Sequence, residues 1–248
     1  MIHYLKSLFN GNVAQEESFS AIGVDMHSHI LPGLDDGSEN LEQSLELVQA
    51  MKALGYRKLI MTPHIMNDFY KNTPQGIREK LQLLQSAVTQ AGIEMELGCA
   101  AEYYLDEGLL QKLDAGEELL TFGNNYLLFE TSFLNEPLNL REAIFKMRSN
   151  GYNPVLAHPE RYSYFYGKFN ELASLRELGV LFQPNLNSLT GYYTPNAKTQ
   201  AELLIDEGLV DFVGSDTHGH KHTNTLWKVL NSKYYAKILA LPLRNQQL

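Results

Sequence analysis

The run Asp25-Met26-His27-Ser28-His29 sets two imidazoles two residues apart. Successive side chains of an extended chain face opposite ways, so His27 and His29 project to one side and Ser28 to the other. Near the other end, Ser215-Asp216-Thr217-His218 repeats the spacing with Asp216 and His218. Between these pairs stand His64 after Met61-Thr62-Pro63, Glu102 in Ala100-Ala101-Glu102-Tyr103-Tyr104, Glu130 after Leu127-Leu128-Phe129, and His158 in Leu156-Ala157-His158-Pro159-Glu160-Arg161. Any one of these histidines alone reads as an ordinary polar residue. The set, each member closing an apolar run, reads as a multinuclear metal site.

Neutral imidazole and carboxylate suit divalent ions such as zinc, manganese and iron, and a single cysteine, Cys99, excludes a thiolate-held structural zinc. There are more ligand-type residues than one ion needs, so two or three ions sharing a carboxylate are expected, with Glu102, from a middle strand, as the bridge. Clustered divalent ions lower the pKa of bound water to about 7, supply a hydroxide nucleophile, and hold both oxygens of an in-line displacement. Phosphate ester hydrolysis is the reaction that most needs this. Arg161, three residues after His158, can offer a forked guanidinium to non-bridging phosphate oxygens, although spacing alone also fits a surface arginine.

These residues need a scaffold that brings strand ends together. Short apolar runs alternate with amphipathic stretches, which predicts parallel strands with helical crossovers. Seven strands are expected near Ala21 to His29, Lys58 to His64, Glu94 to Glu102, Tyr126 to Thr131, Pro154 to His158, Val180 to Asn187 and Val210 to Asp216. Helices are expected over Ser38 to Leu54, Pro74 to Ala91, Leu138 to Ser149, Asn170 to Leu178 and Pro195 to Glu207, the first capped by Ser38. Closed into a barrel, such strands would gather every suspected ligand at their C-terminal ends, the face where barrel enzymes place their chemistry.

Composition agrees. At 248 residues, 44% hydrophobic and 20% charged, the chain can bury a large core and fits one α/β domain. A formal charge of -9 argues against a nucleic-acid groove. One cysteine permits no intrachain disulfide. No segment approaches the roughly 18 apolar residues of a membrane span, and Met1 to Gln15 lacks a secretory signal, so residence in the cytoplasm is expected. Ile2, Leu5, Leu8 and Phe9 make a short apolar stripe that suits packing on the domain's own surface better than membrane attachment.

Taken in order, DMHSHILPGLDDGS, TPH, GCAAEYY, FETS, AHPERY and SDTH resemble the PHP (polymerase and histidinol phosphatase) superfamily, within it the bacterial metal-dependent protein tyrosine phosphatases of capsule and exopolysaccharide clusters. The resemblance runs from Asp25 over about nine tenths of the chain. It implies a distorted (β/α)7 TIM-like barrel and a trinuclear site. His27, His29, Glu102 and Asp216 would hold one ion, Glu102, Glu130 and His158 a second, and Asp36, His64 and His218 a third, with Asp36 rather than its neighbour Asp35 matching the ligand. Arg161 matches the phosphate-binding arginine. Two to three divalent ions are implied, manganese first, with iron, zinc, cobalt and magnesium as other choices. The implied substrate is a phosphotyrosine protein or peptide, such as the tail of a membrane-associated bacterial tyrosine kinase. Residues 1–20 form an N-terminal extension that many relatives lack. His220 and His222 match no family ligand and are expected to face solvent.

Cys99 is a poor rival nucleophile: the position six residues on is Leu105, and an apolar strand without a basic neighbour implies a buried, inert thiol. Tyr103, Tyr104, Tyr162, Tyr164, Phe165, Tyr166, Tyr192 and Tyr193 could wall a phenyl slot or simply pack. A phosphatase of small esters such as histidinol phosphate or a nucleotide is the alternative enzyme. An amidohydrolase lacks its strand-end lysine, and a non-catalytic kinase-docking protein would have no need of so full a ligand set.

Overall fold

A computed structural model describes residues 18–248, so the apolar stripe of Ile2, Leu5, Leu8 and Phe9 lies outside the described residues. The strands are β1 (Val24–Asp25), β2 (Lys58–Met61), β3 (His64–Ile65), β4 (Glu96–Cys99), β5 (Glu102–Tyr104), β6 (Tyr126–Glu130), β7 (Asn153–Ala157) and β8 (Leu181–Gln183). All pair in parallel, in two sheets of order β1-β2-β4 and β3-β5-β6-β7-β8. The helices are α1 (Leu41–Ala53), α2 (Pro74–Gln90), α3 (Glu107–Ala115), α4 (Leu140–Ser149), α5 (Phe169–Ser174), α6 (Pro195–Asp206), α7 (His220–Leu230) and α8 (Lys233–Leu239). No helix among the described residues is long and apolar enough to cross a membrane.

Two expected strands are each broken in two. Lys58 to His64 divides at Thr62 and Pro63, where proline has no N–H to give a ladder. Glu94 to Glu102 divides at Ala100 and Ala101. Backbone bonds continue across both breaks, Thr62 donating to Ser28, Ala100 to Met61 and Glu102 to Pro63. The breaks hand the distal halves to the second sheet, whose register sets His64 directly beside Glu102 and Tyr104 beside Glu130.

The expected strand Val210 to Asp216 forms no ladder, only isolated bridges from Gly214 to Asn185 and from Thr217 to Ser28. Side chains take the ladder's place. Asn245 accepts from the Val213 N–H and donates to the carbonyls of Val213 and Val24, and the Asp25 carboxylate accepts from both the N–H and hydroxyl of Ser215. The backbone's polar groups are thus met without a regular strand. Val180 to Asn187 likewise shortens to β8, followed by a 3-10 turn over Leu186–Thr190.

The first helix is capped by Asn40, not Ser38; the Asn40 side chain accepts from the Gln43 N–H, while Ser38 bonds Ser44 and the Asn40 carbonyl. Helices α3, α7 and α8 were not anticipated, although Asp106 caps α3 and Gly116 ends it in the left-handed conformation. Apolar faces of the helices, including Leu47 and Met51 of α1 and Ile144 and Met147 of α4, pack on the outer faces of the strands. A second apolar cluster of Val24, Met26, Ile60, Leu128, Val155 and Phe212 fills the other side. Alternate residues of each strand therefore serve two cores, as strand geometry requires.

Asn245 ties the chain's end to its first strand, so Asn245→Ala should cost about 2–4 kcal/mol by leaving buried backbone groups unmet. Denaturant titration should show a lowered midpoint with an unchanged slope; an unchanged midpoint would mean that these bonds contribute nothing.

Candidate metal centre

Every suspected ligand falls in one cluster, buried except at exposed Asp36 and half-buried His218. Nine side chains fall into overlapping groups whose donor atoms lie within 4.8 Å of one another: His29, Asp36, His64 and His218; His27, His29 and Asp216; His27, Glu102 and His158; His64, Glu102 and Glu130. Glu102 is central. Its Oε2 lies 3.2 Å from His27 Nε2, 3.4 Å from His29 Nε2 and 3.1 Å from His64 Nδ1, and its Oε1 lies 3.0 Å from His158 Nε2. The grouping by proximity sets His158 with His27 and His64 with Glu130, whereas the resemblance distributes these imidazoles differently among the ions.

Outer contacts aim the imidazoles. His27 Nδ1 lies 2.6 Å from Gln183 Oε1, His29 Nδ1 2.7 Å from Asp35 Oδ2, and His218 Nδ1 2.9 Å from the carbonyl of Asp216. An imidazole that donates at Nδ1 turns its Nε2 lone pair inward. Asp35 also accepts from the backbone of Gly37 and His64, which fixes it as a support while Asp36 faces His64 and His218. Two glycines make room: a Cβ on Gly37 would stand 1.9 Å from the His29 carbonyl, and one on Gly214 2.7 Å from the His27 side chain. His158 (φ 35°) and Asp216 (φ 50°) both adopt left-handed backbone, a conformation non-glycine residues hold only where surroundings enforce it.

The donor set fits divalent cations. His27 Nε2 and His29 Nε2 face each other across 3.3 Å, two lone pairs with no proton between them when each ring donates at Nδ1. His64 Nδ1 and Glu130 Oε1, 3.1 Å apart, are buried and form no hydrogen bond of acceptable geometry. A cation satisfies such atoms; the protein alone leaves them costly.

Charge is shared tightly. Burial opposes the imidazolium of His27, but Glu102 and Asp216 outweigh it and push the group up to about 9; against the same burial, Asp35 raises His29. Burial likewise disfavours the carboxylates, yet Glu102 is held well below its usual range by His27 and His64, and Asp216 by His27, His218 and Arg161. In the protein alone, imidazole protons balance the carboxylates. Divalent ions compete for the same lone pairs, so loading releases protons.

Above the cluster opens a cavity of about 410 Å³ lined by Asp36, Tyr70, Phe133, Arg161, Tyr193 and His222, with the ligand side chains as its floor. Arg161 lies between the rings of Phe133 and Tyr193, at 4.3 and 4.2 Å, and donates to Asp216 Oδ2 at 3.0 Å. That oxygen also accepts from Asn185 Nδ2 and the Tyr193 hydroxyl.

Several expectations change here. Tyr103, Tyr162 and Phe165 are core residues, Tyr103 and Tyr162 with hydroxyls bonded to backbone, and only Tyr193 of the aromatic set lines this cavity; Tyr70 and Phe133 supply the other rings. Cys99 is half-buried rather than buried, its thiol pushed up by burial and only partly offset by Arg78, and it does not line the cavity. His220 is exposed and pairs with Glu46, but His222 is half-buried in the cavity wall, and burial lowers it to about 4. Sequence reasoning missed Gln183, Asn185 and Asp35. The one expected strand to which no ligand was assigned, Val180 to Asn187, contains Gln183 and Asn185, but nothing in its local pattern singles either out.

Parallel strands with a histidine and carboxylate cluster at their ends define an α/β protein with a site suited to metal binding. Residues 23–236 match the family model described as capsular polysaccharide synthesis, CpsB/CapC, and the chain belongs to that family. It is 30% identical over 229 residues to the tyrosine-protein phosphatase YwqE of Bacillus subtilis, covering 91% of this chain and 90% of the relative. It is 25% identical to the tyrosine-protein phosphatase CpsB of Streptococcus agalactiae, over 79% of this chain and 82% of the relative. Among solved structures, one from work on YwqE of B. subtilis and CpsB of Streptococcus pneumoniae, described as unique metal-dependent tyrosine phosphatases, superposes with a TM-score of 0.74 at 31% identity, covering 90% of this chain and 94% of the other.

If Gln183 sets the direction of His27, Gln183→Leu should weaken divalent-metal binding about 10- to 100-fold. Titration of the metal-stripped protein with Mn²⁺ checks this; wild-type affinity would show that the amide has no orienting role.

Proposed function

We propose that this protein is a metal-dependent tyrosine phosphatase that hydrolyses phosphotyrosine on a protein substrate. The observation that carries the reading is the convergence of His27, His29, Asp36, His64, Glu102, Glu130, His158, Asp216 and His218 beneath a cavity into which Arg161 is presented. These nine would hold two or three divalent ions, manganese first, with Glu102 shared. Such ions, when bound, acidify water toward neutral pH and neutralise charge on phosphate oxygens.

The chain's own groups do the rest. Arg161, its plane fixed by Phe133 and Tyr193 and its charge kept by Asp216, offers its remaining N–H groups to non-bridging oxygens. Tyr70 and Phe133 flank the cavity and suit a phenyl ring. The bridges from Asn185 to Gly214 and from Ser28 to Thr217, together with the enclosed cluster of Val24, Met26, Ile60, Leu128, Val155 and Phe212, support closure of seven strand segments into a distorted (β/α)7 barrel forming one domain. The names of the relatives support a place in capsular polysaccharide synthesis; the tail of a membrane-associated tyrosine kinase as substrate, a role in exopolysaccharide synthesis and the cytoplasm as location follow from the sequence resemblance.

Metal-loaded protein should hydrolyse phosphotyrosine peptides with higher kcat/KM than phosphoserine peptides or histidinol phosphate, and chelation should abolish turnover. Arg161→Ala should lose about 2 kcal/mol or more of transition-state stabilisation with metal content unchanged, and Arg161→Lys should recover only part, because the ammonium lacks the fork. Preference for histidinol phosphate would favour the small-ester enzyme. Full activity of Arg161→Ala would remove the arginine from the mechanism.

A further inference from the structure

We propose that His222 is a catalytic residue whose Nε2–H donates a hydrogen bond to the ester oxygen of the substrate as the P–O bond breaks. The inference rests on the phosphatase reading above and adds to it a group for the leaving phenolate.

His222 stands in the first turn of α7, outside every ligand group. Its Nδ1 accepts from the backbone N–H of His218 at 3.4 Å, and its own N–H and carbonyl are tied to Gly219 and Asn187. A ring that accepts at Nδ1 carries its proton at Nε2. The ring lines the cavity, and Nε2 has no hydrogen-bond partner among the described residues, so a donor stands ready at the cavity wall.

Placement selects the oxygen it serves. The rings of Tyr193, Tyr192 and His222 succeed one another at 5.0 Å centroid spacings, beginning from the Arg161 guanidinium stacked on Tyr193. Arg161, bound to buried Asp216, and half-buried His222 both line the cavity, joined outside it through Tyr192. A cavity of about 410 Å³ takes a phosphorylated side chain but not the polypeptide bearing it. The phosphoryl group must sit inward, within reach of Arg161, with its ester oxygen turned toward the mouth. As the P–O bond breaks, its electron pair passes to the phenolic oxygen. A donor there stabilises that charge, and solvent later supplies the proton, so His222 keeps its own.

The test is a series of aryl phosphates whose phenols differ in pKa, hydrolysed by metal-loaded wild type, His222→Phe and His222→Gln, with metal content measured for each. His222→Phe should lose on the order of 10- to 100-fold in kcat for the most basic phenols and little for the most acidic, steepening the dependence of rate on phenol pKa. His222→Gln, which retains an N–H donor, should flatten that dependence again. An equal loss across the series, no loss at all, or a loss explained by missing metal would overturn the assignment. Wild-type protein that turned over none of the series would instead overturn the phosphatase reading beneath it.

Discussion

Glu102 is a fully buried carboxylate surrounded by four imidazoles, and much of the molecule is arranged to make that tolerable. Removing a carboxylate from water costs several kcal/mol, roughly, even after relaxation. It is offset only if surrounding cationic charge is held in place. Each histidine beside Glu102 comes from a different stretch of chain, apart from the adjacent pair His27 and His29. Strand register, loop closure and outer hydrogen bonds therefore all converge on fixing those rings.

The irregularities of the fold follow from the same constraint. A ladder running unbroken through Pro63 or Ala100 would not hand His64 and Glu102 to the second sheet, where they stand side by side. The left-handed backbone at His158 and Asp216 turns two side chains of the cluster at points where a regular strand would carry them onward. Glu160, buried beside His158, accepts from the Asn185 N–H and the Ser188 hydroxyl, and so ties the turn bearing Arg161 to the loop bearing Asn185. That loop in turn holds Asp216. Strain at these two cluster residues is thus supported by bonds one layer out.

The histidine and carboxylate cluster was legible in sequence because metal-binding chemistry restricts residue type and strand geometry restricts spacing. His27 and His29 at i and i+2, and Asp216 with His218, need only the alternation of an extended chain to be read as pairs. Glycines after α1, α4 and α6 marked the ends of those helices, as Gly55, Gly151 and Gly208 show with positive φ. What could not be read depended on contacts distant in sequence. Asn245 replacing a ladder at Val213, Gln183 reaching His27 from a strand with no assigned ligand, and Tyr193 stacking on Arg161 are choices made by tertiary proximity, with no local pattern at the residue itself. The tyrosines misled for the same reason, since a ring after a strand can turn into the core, as Tyr162 does, or toward the cavity, as Tyr193 does.

The central claim is that one buried carboxylate organises several ions. A crystal structure of Mn²⁺-loaded protein, with anomalous scattering recorded above and below the manganese edge, tests it most directly. The account predicts more than one anomalous peak within the histidine and carboxylate cluster, with Glu102 contacting two of them. A single peak that Glu102 does not touch, or peaks lying only outside the nine-residue set, would contradict it.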